Sequence, residues 1–244
     1  MLKDKPGWKR MILKLCWFDL PIRKASCITA NSEATKADLL SIVNFPAERV
    51  KVIYVCVADI FKPVFKIFND KAPRILHIGT ASNKNLNRTI QALKGIPCTL
   101  VIIGKEAIAE EQLLKENNIK YEWYKQMLPE EQVYREYVNA DIVSFVSILE
   151  GFGMPIVEAN ATGRVVITGN TTSMPEVAGN AALIVDPFDI TAIREGFVKL
   201  IRDASLRDTL IKNGFENAKR FSKGNIVKQH YDLYKSLYAE NGKQ

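Results

Sequence analysis

The chain has 244 residues, of which 47% are hydrophobic and 25% charged, and its formal net charge is +7. This composition is that of a globular protein, long enough for one complete α/β domain and part of another. No apolar run approaches the ~20 residues of a membrane span, and the basic N-terminus lacks the apolar core of a secretory signal, so we expect a cytoplasmic protein.

The cysteines and histidines do not form a metal-binding pattern. The four cysteines are Cys16, Cys27, Cys56 and Cys98. They contain no Cys-x-x-Cys pair, so we interpret them as buried free thiols. The two histidines, His77 and His230, lie far apart in the sequence, and no Asp-x-Asp triplet is present. We therefore expect neither a bound metal nor another cofactor.

Basic residues are spread along the whole chain, with a mild excess in the first 24 residues. That excess comprises Lys3, Lys5, Lys9, Arg10, Lys14, Arg23 and Lys24. A solvated surface explains this pattern, and so does contact with an anionic membrane or a phosphate-bearing substrate. No nucleic-acid-binding motif accompanies the charge, so nucleic acid is not an expected partner.

The first 62 residues resemble part of an α/β domain. The pattern predicts a strand at Cys27–Ala30, a helix at Glu33–Val43 and a second strand at Val50–Val57. Residues 63–73 begin and end in proline and form a predicted linker.

From residue 74 to residue 185, short β-branched runs alternate with amphipathic stretches. The predicted strands are Arg74–Gly79, Thr99–Gly104, Ile119–Tyr124, Ile142–Val146, Val165–Thr168 and Ala182–Val185. The predicted helices are Leu86–Lys94, Glu106–Asn117, Pro129–Asn139, Pro155–Ala161 and a short one near Pro175–Ala178. Apolar runs without strict alternation suit strands buried on both faces of a parallel sheet. Repeated strand–helix units predict a doubly wound, Rossmann-like α/β sheet.

The C-terminal part is predicted to be helical. Apolar residues at helical spacing indicate helices at Asp189–Asp203 and Ser205–Phe221, followed by a last helix from about Ser222 to Tyr238. Asp189 and Ser222 are plausible N-caps of the first and last of these helices.

The most informative stretch is SILEGFGMPIVE, residues 147–158. A buried strand ends just before it, a tight loop carries Glu150, and a helix is predicted to begin at about Pro155. Ligands of open parallel sheets bind beyond the carboxyl ends of the strands, and the free amides of a helix start favour phosphate oxygens. Glu150 and Glu158 are spaced to accept hydrogen bonds from different hydroxyls of one polyol ligand.

A second polar loop, GTASNKNL, follows the strand that ends at Gly79. Lys84 lies near a helix start, where the helix dipole disfavours a cation, and a bound anion would remove that conflict. A solvated loop lysine stays an alternative. Asn83 is either a helix cap or a ligand-binding residue.

Several segments together resemble one protein family. EGFGMPIVEA, ATGRVVITGNTTSMPEVAGNAALIVDP and LRDTLIKNGFENAKRFS strongly resemble the donor-binding domain of family 4 glycosyltransferases, which have the GT-B fold. The similarity extends back through RILHIGTASNKNL to TANSEATKADLL and so covers most of the chain.

The resemblance implies a role for each matching residue. Glu158 would hydrogen-bond ribose hydroxyls, Glu150 would contact the transferred sugar, and Lys84 would neutralise the departing diphosphate. Glu150 and Lys84 are therefore the expected catalytic residues. The other expected donor-binding residues are Gly79, Thr80, Asn83, Gly104, Lys125, Gln126, Met127, Gly151, Phe152, Gly153 and Met154. Such enzymes are typically retaining and need no metal.

Three features depart from the family pattern. Thr80 stands where an arginine is frequent, and Asn160 stands where an apolar residue is common. Residues 54–58 read YVCVA where the family has a Pro-Asn-Gly-Val-Asp hinge. These differences affect one diphosphate contact and the hinge geometry.

The resemblance also divides the chain. Residues 1–62 would be the end of an acceptor-side domain, 63–73 a linker, 74–222 the donor-binding domain and 223–244 a crossover helix. On this interpretation a glycosyltransferase of polysaccharide biosynthesis transfers a hexose to a glycan or a lipid-linked acceptor, and this single chain is incomplete. The alternative is a non-catalytic nucleotide-sugar-binding subunit, or a truncated remnant, that needs a separate acceptor-domain partner.

An incomplete chain of this kind would expose apolar residues at both of its ends. Those expected to lack cover are Trp8, Leu13, Trp17, Phe18, Val227, Tyr231, Leu233, Tyr234, Leu237 and Tyr238. A separate partner chain, self-association and peripheral membrane contact all remain open. The sequence does not determine the sugar, the base, the acceptor or the oligomeric state.

Overall fold

The computed structural model describes residues 7–241, apart from the side chains of Arg10, Glu240 and Asn241. Lys3 and Lys5, and the ends of the predicted first and last segments, lie outside these residues. The predicted fold class is confirmed, because a six-stranded parallel sheet has helices on both faces and a helical region follows it.

The strands and helices alternate through most of the chain. The strands are β1 (Ile28–Ala30), β2 (Val50–Val52), β3 (Arg74–Ile78), β4 (Thr99–Ile103), β5 (Lys120–Tyr124), β6 (Ile142–Phe145), β7 (Val165–Gly169) and β8 (Leu183–Val185). The helices are α1 (Gly7–Lys14), α2 (Leu20–Lys24), α3 (Glu33–Ile42), α4 (Leu86–Leu93), α5 (Ile108–Glu116), α6 (Glu130–Asn139), α7 (Met154–Thr162), α8 (Met174–Ala178), α9 (Ile190–Arg202), α10 (Ala204–Arg220) and α11 (Lys223–Asn241). A π-helical turn, Leu15–Asp19, joins α1 to α2.

The large sheet has the strand order β5-β4-β3-β6-β7-β8, and every pair is parallel. After β3 the chain winds outward through β4 and β5, then returns to the other side of β3 to form β6. The winding direction therefore reverses between β3 and β6. The carboxyl ends of two such strands diverge into a crevice, which is the usual ligand site of open α/β sheets.

Both faces of the sheet are covered by apolar helices. Neighbouring residues of one strand, such as Ile75 and Leu76, point to opposite faces, and both are fully buried. One face packs on α4, α5 and α9, and the other packs on α6, α7 and α8. This two-sided burial explains why the strands read as continuous apolar runs.

The N-terminal segment forms a separate two-stranded parallel sheet of β1 and β2. Ser32 caps α3 between them, because its side chain accepts a hydrogen bond from the Thr35 amide. The predicted strand Val50–Val57 is too long, since β2 ends at Val52. Beyond it the chain turns toward the core beside the six-stranded sheet, where the Val57 amide donates to the carbonyl of Phe221 (2.9 Å).

Aromatic residues of the N-terminal helices and of α11 lie on the surface. Trp17 is 68% exposed and Tyr238 is 83% exposed. The predicted lack of cover is confirmed for Trp8, Trp17, Val227, Tyr231, Tyr234 and Tyr238. It is wrong in part for Leu13, Phe18, Leu233 and Leu237, which are half-buried. No helix among residues 7–241 is long and apolar enough to cross a membrane.

The cysteines are free, as predicted, but only one of them is buried. Burial raises the pKa of the Cys98 thiol to about 11. The expectation of burial is wrong for Cys16, which is exposed in the π-helical turn. It is wrong in part for Cys27 and Cys56, which are half-buried.

Candidate functional site

A salt bridge crosses the crevice between β3 and β6. Lys84 ends a 3-10 turn just before α4, and its Nζ donates to Oε1 of Glu150 at 2.7 Å. The Phe145 ring lies 5.0 Å from the same Nζ. Both charged side chains are largely shielded from water, and Glu150 supplies the negative charge that the position of Lys84 requires.

Glycines bring the backbone close to these side chains. Gly79 has φ +93°, and a Cβ added there would lie 2.8 Å from Cγ of Lys84. A Cβ on Gly104 would likewise lie 2.8 Å from Cγ2 of Thr80. Four predicted site residues therefore lie together at the ends of β3 and β4: Gly79, Thr80, Lys84 and Gly104. Only glycine leaves room for the Lys84 side chain at position 79 and for the Thr80 side chain at position 104.

Asn83 links the two loops and does not cap α4. Its carbonyl accepts a hydrogen bond from the Ile148 amide (2.8 Å), and its side chain donates to the Leu149 carbonyl (2.9 Å). The cap position belongs to Asn85, whose φ of 61° is left-handed. The capping alternative for Asn83 is therefore wrong, because its amide is needed to hold the Glu150 loop.

The start of α7 presents free backbone amides. Gly153, with φ +124°, is the N-cap. No hydrogen bond runs from the amides of residues 151–154 to another described residue. The side chain of Phe152 is buried and packs against Tyr54 and Phe221, so it belongs to the core. Free amides at a helix start attract anions.

Residues after β7 support the Glu150 loop from behind, and the sequence analysis did not find them. Oγ1 of Thr172 accepts from the Glu150 amide (3.2 Å), and the Ser173 hydroxyl donates to the carbonyls of Glu150 (3.1 Å) and Phe152 (2.6 Å). The available signal was a run of hydroxyl residues, 171–173, in the loop after the predicted strand Val165–Thr168. Thr172 also has a left-handed φ of 53°.

A second missed group ties α3 to the same loop. The hydroxyls of Ser32 and Thr35 donate to the Gly151 carbonyl at 2.8 and 3.0 Å. The Glu176 carboxylate accepts hydrogen bonds from the amides of Glu33 and Ala34 at the start of α3. No sequence pattern indicated these contacts, because Ser32 and Gly151 are 119 residues apart in the chain.

Glu158 lies in the second turn of α7, and no hydrogen bond joins it to Lys84 or Glu150. Its Oε2 accepts a hydrogen bond from the hydroxyl of Tyr137 on α6. Burial raises the pKa of Glu158, and the Tyr137 hydrogen bond opposes that shift. One carboxylate oxygen is therefore held by the protein and the other has no protein donor among the described residues.

The loop between β5 and α6 is open to solvent. Lys125 binds the carboxylates of Glu106 and Glu111, each at 2.7 Å. Gln126 is exposed, and Met127 is 97% exposed. The structure places these three residues one strand beyond the Thr80–Gly104 contact, since β5 is the neighbour of β4.

The arrangement has the chemistry of a phosphate and polyol site. Lys84 and the α7 amides offer positive charge, and two carboxylates offer hydrogen-bond acceptors to hydroxyl groups. Among the side chains that the structure describes, no group of three or more His, Cys, Asp or Glu is arranged to hold a metal ion.

The sequence of the chain matches that of a known protein family. The sequence pattern of the family described as "Glycosyl transferases group 1" matches residues 61–217. The chain belongs to the group 1 glycosyltransferases. The matched region contains Lys84, Glu150 and Glu158, whereas Ser32 and Thr35 lie before it.

Individual proteins are similar to this chain in sequence or in fold. The O-antigen chain mannosyltransferase B of Escherichia coli is 29% identical over 233 residues, with 87% of this chain and 61% of that protein covered. Sucrose-phosphate synthase of Thermosynechococcus elongatus has a similar fold, with a TM-score of 0.81, 22% identity and coverage of 97% and 63%. Anabaena HepE, solved with UDP and glucose, has a TM-score of 0.76 at 20% identity and coverage of 91% and 66%. This chain thus spans about three fifths of the mannosyltransferase.

Proposed function

We propose that the crevice between β3 and β6 binds a nucleotide-sugar and that the protein uses it for retaining glycosyl transfer without a metal. The Lys84–Glu150 salt bridge beside the free amides of α7 carries this proposal. It combines a cation, a helix start and a hydroxyl acceptor at the switch point of the sheet.

The diphosphate is proposed to lie between Lys84 and the start of α7. Lys84 has three N–H donors, and Glu150 occupies one of them in the structure. Phosphate oxygens can accept the others and the amides of residues 152–154. As the bond to the sugar breaks, charge develops on the diphosphate, and these groups stabilise it. They supply the positive charge for which other enzymes use a metal ion.

The sugar and the nucleoside are proposed to lie on opposite sides of that diphosphate. Glu150 accepts hydroxyls of the transferred sugar, and the free oxygen of Glu158 accepts ribose hydroxyls. The base lies against the exposed Lys125–Met127 loop, near the Thr80–Gly104 contact. HepE was solved with UDP, which makes UDP the first probe to use here.

The acceptor is proposed to be a glycan or a lipid-linked sugar, as befits a relative of an O-antigen mannosyltransferase. The exposed side chains of Trp8, Trp17 and Tyr238 are proposed to contact an acceptor-domain partner, a second copy or an anionic membrane facing the cytoplasm. Family membership disfavours the alternative of a non-catalytic subunit.

Calorimetry with UDP and GDP tests nucleotide binding. Glu158→Ala is expected to weaken the better nucleotide by about 1.5–3 kcal/mol, the usual loss for a hydrogen bond to a charged group. Binding of the same nucleotide without its 2′-hydroxyl should be weakened less by this substitution, because that ligand already lacks the hydroxyl that Glu158 would contact. Equal losses for both ligands would refute the ribose contact.

Chelator and product analysis test the finer claims. Binding should be unchanged by EDTA, and transferred sugar should keep the anomeric configuration of the nucleotide-sugar in an NMR spectrum of the product. A metal requirement or an inverted product would refute the respective claim.

A further inference from the structure

Tyr137 is a buried tyrosine whose hydroxyl reaches the proposed ribose-binding carboxylate. It lies on α6 with none of its surface exposed, and its hydroxyl donates to Oε2 of Glu158 on α7. No sequence motif includes this residue, and it takes no part in the proposed function.

The tyrosine is fixed on both sides. Its ring meets the Phe61 ring edge to face, with centroids 5.4 Å apart. Its carbonyl accepts a hydrogen bond from Nε of the buried Arg164 (3.0 Å), which also binds the next carbonyl, that of Val138. Because ring and backbone are both held by the core, the hydroxyl has one position, and it determines where the Glu158 carboxylate lies.

We propose that Tyr137 is a positioning residue that holds one oxygen of Glu158 so that the other faces a ligand hydroxyl. The inference rests on the proposed function for the identity of that ligand, a nucleotide ribose. Tyr137 itself does not touch the ligand.

The electrostatics of the pair support this role. Burial raises the pKa of Glu158, the Tyr137 hydrogen bond lowers it, and the nearby charge of Glu130 raises it again. Tyr137 and Glu130 both lie on α6. The Arg164 side chain binds the carbonyl of Tyr137 and interacts with the charge of Asp141. Burial and the Glu158 charge raise the pKa of Tyr137 well above its ordinary value, so the phenol stays a donor. Its hydrogen bond thus favours the ionised, ligand-accepting carboxylate.

The test compares Tyr137→Phe with Tyr134→Phe. Tyr134 is a matched control because it lies on the same helix and also packs edge to face on Phe61, but its hydroxyl points to the Lys62 carbonyl. The carboxyl carbon of Glu158 is titrated by NMR in the ligand-free chain, with Glu158→Gln to assign its signal. Tyr137→Phe should move the Glu158 pKa upward, and Tyr134→Phe should leave it in place.

Nucleotide binding gives the second measurement. Tyr137→Phe should weaken UDP or GDP roughly tenfold, the effect of one hydrogen bond to a charged group. The pH at which affinity falls by half should rise, since the carboxylate protonates earlier. A Glu158 titration equal to that of Tyr134→Phe would overturn the inference. If the unsubstituted chain binds neither nucleotide, the proposed function fails, and the ligand-free titration still decides whether Tyr137 controls Glu158.

Discussion

Nζ of Lys84 lies 2.7 Å from Oε1 of Glu150, so the loops after β3 and β6 are joined by opposite charges across the crevice. Each charge compensates the other before any ligand arrives, and an unpaired charge in such a shielded place is unfavourable. A diphosphate brings further negative charge to the same lysine. The pair therefore holds both side chains ready for a ligand that needs a cation and an acceptor together.

Replacing Lys84 by methionine should separate the diphosphate contact from the rest of the site. We expect UDP or GDP binding to weaken by about 1.5–3 kcal/mol, while binding of the bare nucleoside changes little. Lys219→Met is the control, because Lys219 pairs with Glu216 on the exposed surface of α10. Calorimetry measures the affinity of each of the two variants for the nucleotide and for the nucleoside. Equal losses for nucleotide and nucleoside would show that Lys84 acts on the fold and not on the phosphates.

Gly104→Ala should destabilise the end of β4. The added Cβ would lie 2.8 Å from Cγ2 of Thr80 and 3.1 Å from its backbone nitrogen, and overpacking of this kind costs about 1–3 kcal/mol. Adding Thr80→Ser removes the methyl group and should recover part of that loss. Gly224→Ala is the control, because nothing lies within 4 Å of its added Cβ. Urea unfolding measures the free energy of unfolding of each variant. A Gly104→Ala variant as stable as the unsubstituted chain would contradict the close contact.

Glu176→Ala should loosen the contact between α3 and α8. The carboxylate accepts hydrogen bonds from the amides of Glu33 and Ala34, and an acidic partner at a helix start contributes about 0.5–2 kcal/mol. Hydrogen exchange of α3 should therefore become several-fold faster, and that of β6 should not. Glu216→Ala, which removes only a surface pair with Lys219, is the control. Unchanged exchange in α3 would rule out the contact as a stabilising one.

His77 should make the protein less stable in mild acid. Burial lowers its pKa from the ordinary 6.5 to about 4, so between those values the unfolded chain binds a proton that the folded chain does not. The stabilisation is complete above about pH 6.5 and is lost as the pH falls to about 4. At about 1.4 kcal/mol per pKa unit, the loss is about 3 kcal/mol.

Unfolding of His77→Leu as a function of pH measures this contribution. The variant should lose the slope between about pH 4 and 6.5. His230→Gln, which changes the other histidine of the chain, should keep it. A slope that persists in His77→Leu would assign the acid sensitivity to other groups.

Local patterns in the sequence were enough to predict the repeating strand–helix units and the start of α7. Buried strands show themselves as apolar runs, and Gly153 and Pro155 mark a helix start by their own backbone preferences. The same patterns predicted five residues too many for β2, because they do not distinguish a strand from an extended segment that packs on the core of the six-stranded sheet. The boundaries of the domains and the roles of the site residues stay predictions.

The partners of each site residue depended on the tertiary structure. Lys84 and Glu150 are 66 residues apart, and Ser32 and Gly151 are 119 apart. These pairs meet because β6 returns to the side of β3 and α3 packs on the loop that follows β6. The residues next to a side chain in the sequence do not determine which distant residue it contacts. The sequence by itself indicated Lys84, Glu150 and the start of α7 as candidate groups of the site. The winding of the sheet decided which residues touch, because contacts between distant residues follow from packing and not from local propensity.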